Sequence, residues 1–415
     1  MTYVKEPERD VPVKYDVDVV VAGGGTAGVA AAVCAGRMGL RTVMVEQSCA
    51  PGGLVTQLGW SNDFTNKGGF TREFFELLER DGVMVRNKTM CNYDQFRVTP
   101  YLDTFLAAAN VRVLYRATVA NVIQNDGTVS GVFIETKEGR IAVKARVVID
   151  ATGDGDAAAQ AGAKFTKGRA KDGAMQAISL SHTFINYTAG TISMEDIAKE
   201  VRDTSPDFML PYVHGTWKNQ TGTKSTMTNG TMHVCGYDPV SAEGISDALI
   251  ALRAQAVDVF NALKKTTSMR DIEFGPFMPL PGIRESRRIT CDYTVTKDDT
   301  VRGARFDDGL FTVTQPIDIH KCTEAEPCII VEKVTPYHIP YRSLLPRGIE
   351  NLMVVGRCIG GEHEALASYR IIADCFAMGE AAAIAAQQVA KGARSLRAVD
   401  VGTVTAEMEH RGYSR

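Results

Sequence analysis

No apolar run approaches the roughly 18 residues a membrane helix needs, so the sequence predicts no membrane span. No Cys-x-x-Cys pair occurs among Cys34, Cys49, Cys91, Cys235, Cys291, Cys322, Cys328, Cys358 and Cys375. That speaks against a zinc ribbon, a Cys-ligated iron–sulfur cluster and a dithiol redox centre, and most of these cysteines read as packing residues. Cys322 and Cys328, with an acidic stretch between them, make a weak metal site, and no His/Asp/Glu set has ligand spacing, so no metal is expected. The net charge of −3 is small for 415 residues, which argues against general attraction to nucleic acid or an anionic membrane. The first sixteen residues are charged and lack an apolar core, so they do not read as a signal peptide, and a reducing cytoplasm is the expected setting. Internal repeats and low-complexity linkers are missing too. The Asn-x-Thr matches at Asn186, Asn219 and Asn229 carry little meaning without secretion.

What is present is an ordinary globular balance, 45% hydrophobic and 23% charged, in a chain long enough for two or three domains. Residues 16–22 read as a buried strand, 26–38 as an Ala-rich helix ending near Gly39, and 41–46 as a second buried strand. Residues 70–81 carry phenylalanines and leucines at helical spacing. Residues 111–149 read as strands joined by tight turns, one at Asp126-Gly127, forming a small antiparallel layer that returns to a parallel sheet at Val147–Asp150. Residues 165–335 lose the βαβ rhythm; they hold one clear amphipathic helix over 241–265 and a polar, turn-rich stretch over 215–232. From Asn351 the rhythm returns as a short strand, a Gly356-Arg357 turn and a long helix over 367–391, whose Ala-rich part suits close packing on a sheet. The expected architecture is α/β: a Rossmann-like dinucleotide domain with a parallel sheet and small antiparallel layer (1–164 and 336–415), interrupted by an inserted α+β substrate domain (165–335).

The strand–turn–helix carries the run Gly23-Gly24-Gly25-Thr26-Ala27-Gly28. Each glycine of a G-x-G-x-x-G has its own task. Gly23 permits the tight turn, Gly25 lets a pyrophosphate approach the backbone, and Gly28 lets helix and strand pack closely. The helix N-terminus offers unsatisfied N–H groups and positive dipole to the phosphates. Glu46 ends the second strand, where a carboxylate can hold a ribose 2′-hydroxyl and disfavours a 2′-phosphate. These features leave FAD and NAD both open.

Further motifs narrow the choice. The glycine unit, Gly52-Gly53 with Thr56, the run Ala151-Thr152-Gly153-Asp154, the segments PGIRESRRITCDYTVTKDD and HIPYRSLLPRG, and NLMVVGRCIGGEHEALASYRIIADCFAMGEAAAIAA together resemble the FAD-dependent oxidoreductase family. Its single-Rossmann members are distantly similar to the flavoproteins of fumarate reductase and succinate dehydrogenase. The resemblance implies FAD as cofactor, with Gly23, Gly25, Thr26, Ala27 and Gly28 at the pyrophosphate and Glu46 and Gln47 at the adenosine ribose. It places Gly52, Gly53 and Thr56 along the ribityl chain and flavin edge, and Val119 at adenine. Gly153, Asp154, Gly356 and Arg357 fall beside the pyrophosphate and ribityl side, and the helix N-terminus near Arg370 and Ile371 faces the flavin pyrimidine. Reduced flavin carries negative charge there, which a helix N-terminus stabilises. No second G-x-G-x-x-G occurs, so no built-in nicotinamide domain is expected, and a separate electron donor or acceptor is.

The expected reaction is hydride transfer between flavin N5 and a small organic substrate, by C=C reduction or dehydrogenation. The alternatives are a non-redox dinucleotide user of the thiazole-synthase type and an oxidase using O2; the weak charge argues against tRNA modification. Hydride transfer needs an acid or base and a cation for substrate charge. The sequence offers His363 as the proton carrier, with Glu364, Tyr369 and His320 as further candidates and Arg284 as the cation. His182 and His233 are possible visitors to the pocket, Trp60 and Phe64 possible cavity lining, and His338 a structural residue.

Overall fold

The computed structural model describes residues 2–62, 64–87, 90–188, 190–213, 216–217 and 227–415. The strand Val13–Ala22 is exposed where it starts and fully buried from Val19 to Ala22. Such a β-branched run, covered on both faces, suits the middle of a parallel sheet. It pairs in parallel with Thr42–Glu46 on one side and Gly139–Asp150 on the other. Arg112–Tyr115 extends the sheet beyond Thr42–Glu46. Leu352–Val354, from the far end of the chain, pairs in parallel with Val148–Asp150. The antiparallel strands Thr128–Thr136 and Thr118–Asn125 grow from the first half of Gly139–Asp150, so that strand belongs to both parts of one seven-stranded sheet. Asp126 and Gly127 both take positive φ, 46° and 76°, as a two-residue type I′ hairpin requires.

The helix Thr26–Arg37 is buried from Ala27 to Cys34. The Ala-rich part of Ile372–Ala390 packs against this helix rather than lying only on the sheet. A Cβ added at Gly379 would stand 2.1 Å from the Ala27 carbonyl oxygen, so the two backbones touch. The single helix expected over 367–391 is two: His363–Tyr369 and Ile372–Ala390, parted by Arg370 and an extended Ile371. No glycine or proline marks the break, and the apolar period runs straight through it.

A second, smaller hydrophobic core draws on residues between Ile178 and Ile272. Its sheet orders Met227–Val234, Ile178–Ile185 and Glu273–Phe277, all antiparallel. The helix Ala242–Leu263 lays Ala248, Leu252, Ala256 and Val259 against it, and Ser241 caps that helix by accepting from the Gly244 N–H. Residues 227–232 of the stretch expected to be turn-rich belong to the strand Met227–Val234; residues 215 and 218–226, Asn219 among them, lie outside the described residues. Ile289, Cys291, Leu310 and Phe311 pack in the larger core. All nine cysteines are free, and Cys34, Cys91, Cys291, Cys322, Cys358 and Cys375 are buried. Among the described residues no helix is long and apolar enough to cross a membrane.

His182 sits in the smaller core with no solvent exposure, stacked on Phe274 at 4.7 Å and edge-on to Phe184 at 4.6 Å. Burial pushes its pKa down to about 4. The folded protein therefore holds it neutral while the unfolded chain takes up a proton near pH 6.5, and stability falls with pH across that window. At about 1.4 kcal/mol per pH unit the loss from this residue is about 3 kcal/mol. Thermal melts from pH 7 to pH 4 are expected to fall less steeply in His182→Met than in wild type; parallel curves would show that His182 contributes nothing to the pH dependence.

Candidate functional site

The three glycines of the turn divide the work by geometry. Gly23 has φ 98°, and a Cβ there would stand 2.6 Å from the Ala151 carbonyl oxygen. A Cβ at Gly28 would stand 1.9 Å from the Gly23 carbonyl oxygen, which fixes how closely helix and strand approach. Gly25 is different. A Cβ there would meet nothing nearer than 4.0 Å, and the residue lines a cavity. Glu46 closes the turn from below: its carboxylate accepts from the Gly24 N–H at 2.6 Å and the Ser48 N–H at 2.7 Å. Each oxygen keeps a second lone pair for a hydroxyl in the cavity. Gly52 bridges to Gly25, and Thr26 Oγ1 donates to the Gly52 carbonyl at 3.0 Å. Thr56 Oγ1 donates to the Gly53 carbonyl at 2.8 Å. Gly28, Gly52 and Thr56 thus shape the turn from behind, and Gly53 faces the cavity.

The cavity measures about 1040 Å³. Gly23, Gly25, Thr26, Ala27, Glu46, Gln47 and Val119 form one end. Gly153, Asp154, Gly356 and Arg357 form the middle, with Arg357 paired to Asp154. Arg370 and Ile371 follow, at the N-terminus of the helix Ile372–Ala390. No side chain caps that helix, so its first N–H groups are available to the cavity. Asp374 in its first turn forms a fully buried ion pair with Lys67 at 2.9 Å, which offsets a negative charge at the positive end of the helix. Two helix N-termini therefore open into one space, fit for a ligand anionic in its middle and able to gain negative charge at its far end.

The far wall comes from the smaller core and the hairpin Ile317–His320 with Ile329–Glu332. His233 Nδ1 lies 3.2 Å from the Thr231 carbonyl, and His233 Nε2 lies 3.0 Å from His320 Nδ1. The two rings are coplanar within 5°, and Tyr212 stacks over both. A carbonyl only accepts, so Nδ1 of His233 carries the hydrogen and its Nε2 is a lone pair. That lone pair requires the hydrogen of His320 on Nδ1. His320 Nε2 is left bare, 3.6 Å from an Asp318 oxygen. Burial first, and Arg284 next, hold His320 down to about 3, so it is neutral at pH 7. Burial works against the Asp318 carboxylate; with the imidazole neutral, the charges of Arg370 and Arg284 are what favour its ionised form. Arg284 and Arg370 both reach this wall.

Other sequence candidates stand elsewhere. His363 begins a helix and is only 4% exposed; it does not line the cavity. Its Nδ1 lies 2.8 Å from Glu285 Oε2, and Arg288 grips the same carboxylate. The loop expected to lie over a flavin is thus a buried clamp. Tyr369 is fully buried, its hydroxyl packed under Gly361. Glu364 is half-buried in the first turn of His363–Tyr369, off the cavity wall. Trp60 lines the cavity, whereas Phe64 packs on Phe75 in the core. His338 lies away from the cavity with Gly309 against its ring. Tyr212 and Asp318 had no sequence signal; His233 had one only as a histidine beside a polar stretch.

The profile of a family described as FAD dependent oxidoreductase matches residues 18–408. Among solved structures, p-nitrophenol 4-monooxygenase PnpA from Pseudomonas putida DLL-E4 aligns with a TM-score of 0.52 at 12% identity, over 95% of this chain and 85% of that one. The flavin-dependent brominase Bmp2 aligns with a TM-score of 0.51 at 15% identity, over 94% and 83%. These likenesses are of fold. No curated protein matches the chain.

Two alanine substitutions separate the roles of the turn. Gly28→Ala forces helix from strand and is expected to lower the melting temperature of the ligand-free protein. Gly25→Ala, whose φ of −68° suits alanine, is expected to leave that melt unchanged while weakening dinucleotide binding at least about tenfold. Equal melting losses in both variants, read by calorimetry, would contradict the assignment.

Proposed function

Because the chain belongs to the FAD-dependent oxidoreductase family, with FAD as its cofactor, we propose that it passes a hydride between flavin N5 and a small organic substrate. The reaction is C=C reduction or dehydrogenation of a C–C or C–O bond. The observation that supports this reading is the continuity of one cavity from the glycine turn to a wall of polar side chains. Gly25, Thr26 and Ala27 would hold the pyrophosphate, Glu46 and Gln47 the ribose, and backbone groups at Val119 the adenine. Gly53, Gly153, Asp154, Gly356 and Arg357 would flank the ribityl stretch, and Arg370 and Ile371 the pyrimidine edge. Bound there, FAD supplies the two-electron centre.

The chain's own residues supply the rest. His320 moves the proton, through the nitrogen that His233 and Thr231 leave bare. Tyr212 holds both rings in one plane, so the lone pair points in a fixed direction. His363, locked to Glu285, positions the helix that ends at Arg370. A separate small or protein partner would restore the flavin, since the chain carries no second dinucleotide turn.

Purified protein is expected to be yellow, with the oxidised flavin band near 450 nm. Under anaerobic conditions a productive substrate from a panel of hydroxy acids and saturated acids bleaches that band. His320→Gln is expected to keep the flavin and slow bleaching about 10²- to 10⁴-fold. Bleaching at the wild-type rate removes His320 from the mechanism. Reoxidation in air within seconds, with stoichiometric peroxide, replaces the separate-acceptor reading with an oxidase.

A further inference from the structure

Arg284 and Arg370 reach the far wall from different parts of the chain, and both line the cavity. Arg284 donates to the Ala177 carbonyl at 3.1 Å and Ser179 Oγ at 3.0 Å. Arg370 donates to Gln176 Oε1 at 3.1 Å and the Asp318 carbonyl at 2.7 Å. All four acceptors are uncharged. Among the described residues neither guanidinium forms an ion pair, whereas Arg287, Arg288 and Arg357 each have a carboxylate partner. Burial first, then each other's charge for Arg284, weakens both as cations. Two partly buried cations facing one space are costly unless something anionic joins them.

The charge at this wall can be counted. Asp318 is the carboxylate both arginines feel; Glu285 also acts on Arg370 but is already held by Arg288. The two histidines are neutral. Two guanidiniums against one carboxylate leave a surplus of one positive charge, which a single carboxylate matches and a dianionic phosphate exceeds. The neighbouring lining is apolar, with Ile245, Leu249, Leu280, Ile283, Ile329 and Val331.

We propose that the substrate is an organic monocarboxylate with an apolar body, its carboxylate held between Arg284 and Arg370. This rests on the hydride-transfer reading for its role as substrate. The surplus positive charge favours an anion whatever the reaction. Planar guanidiniums suit a carboxylate through paired, charge-assisted hydrogen bonds.

The test is a calorimetric titration of the flavin-loaded protein with phenylacetate and 4-phenylbutyrate, each beside its neutral amide. The acid is expected to bind at least about tenfold tighter than the amide. Arg284→Gln is expected to erase that preference, Arg284→Lys to retain part of it, and inorganic phosphate in excess to leave binding unchanged. Equal binding of acid and amide, binding of neither, or displacement by phosphate overturns the proposal. If Arg284→Gln does not fold, the wild-type comparison and Arg284→Lys decide. The two readings fail separately: protein that takes up no flavin yet prefers the acid sinks the redox reading and keeps the anion site. Yellow protein without acid preference does the reverse.

Discussion

The structure hangs on backbone meeting backbone at the glycine turn. Gly23 lies against the Ala151 carbonyl, Gly28 against the Gly23 carbonyl, and Gly379 against the Ala27 carbonyl. Any side chain at these three points occupies space already taken. These contacts bring the strand Val13–Ala22, its helix, the Ala151 loop and the helix Ile372–Ala390 into one junction. Around that junction the cavity forms, and two helix N-termini that no side chain caps open into it. The Glu46 carboxylate, held by the Gly24 and Ser48 N–H groups, closes the same junction from below.

The far wall follows a different logic. It is assembled from side chains whose interactions depend on one another. Thr231 fixes a tautomer in His233, which fixes one in His320. The arginines that attract an anion are also the charges that weaken His320 as a base. An anion placed between them would offset that part of the effect and leave the larger part, which is burial, so anion binding and the basicity of the imidazole would be coupled.

The sequence carried the first half of this picture and little of the second, for a physical reason. The turn, helix and strand at residues 13–46 rest on contacts between near neighbours, and glycine spacing records them directly. Gly153, Asp154, Gly356, Arg357 and Ile371 were reached through longer motifs and all line the cavity. The wall pairs Tyr212, His233, Arg284 and His320, which no local spacing relates. His363 shows the same limit from the other side. Its position just before the helix made it a candidate, but Glu285, far back in the chain, turns it into a buried clamp. The break at Arg370–Ile371 was equally silent, since no breaker residue stands there and only the extended backbone of Ile371 ends the first helix.

The crossing at Gly379 acts as a fixed calliper. Because no side chain separates the helix Ile372–Ala390 from Ala27, the separation of the two N-termini is a property of two backbones in contact. It cannot drift by small steps as side chains are exchanged. The span between the glycine-turn end and the Arg370–Ile371 end of the cavity is therefore set once, while the opposite wall is free to be rebuilt residue by residue. A scaffold divided in this way can change what it acts on without altering the measure by which it holds its cofactor.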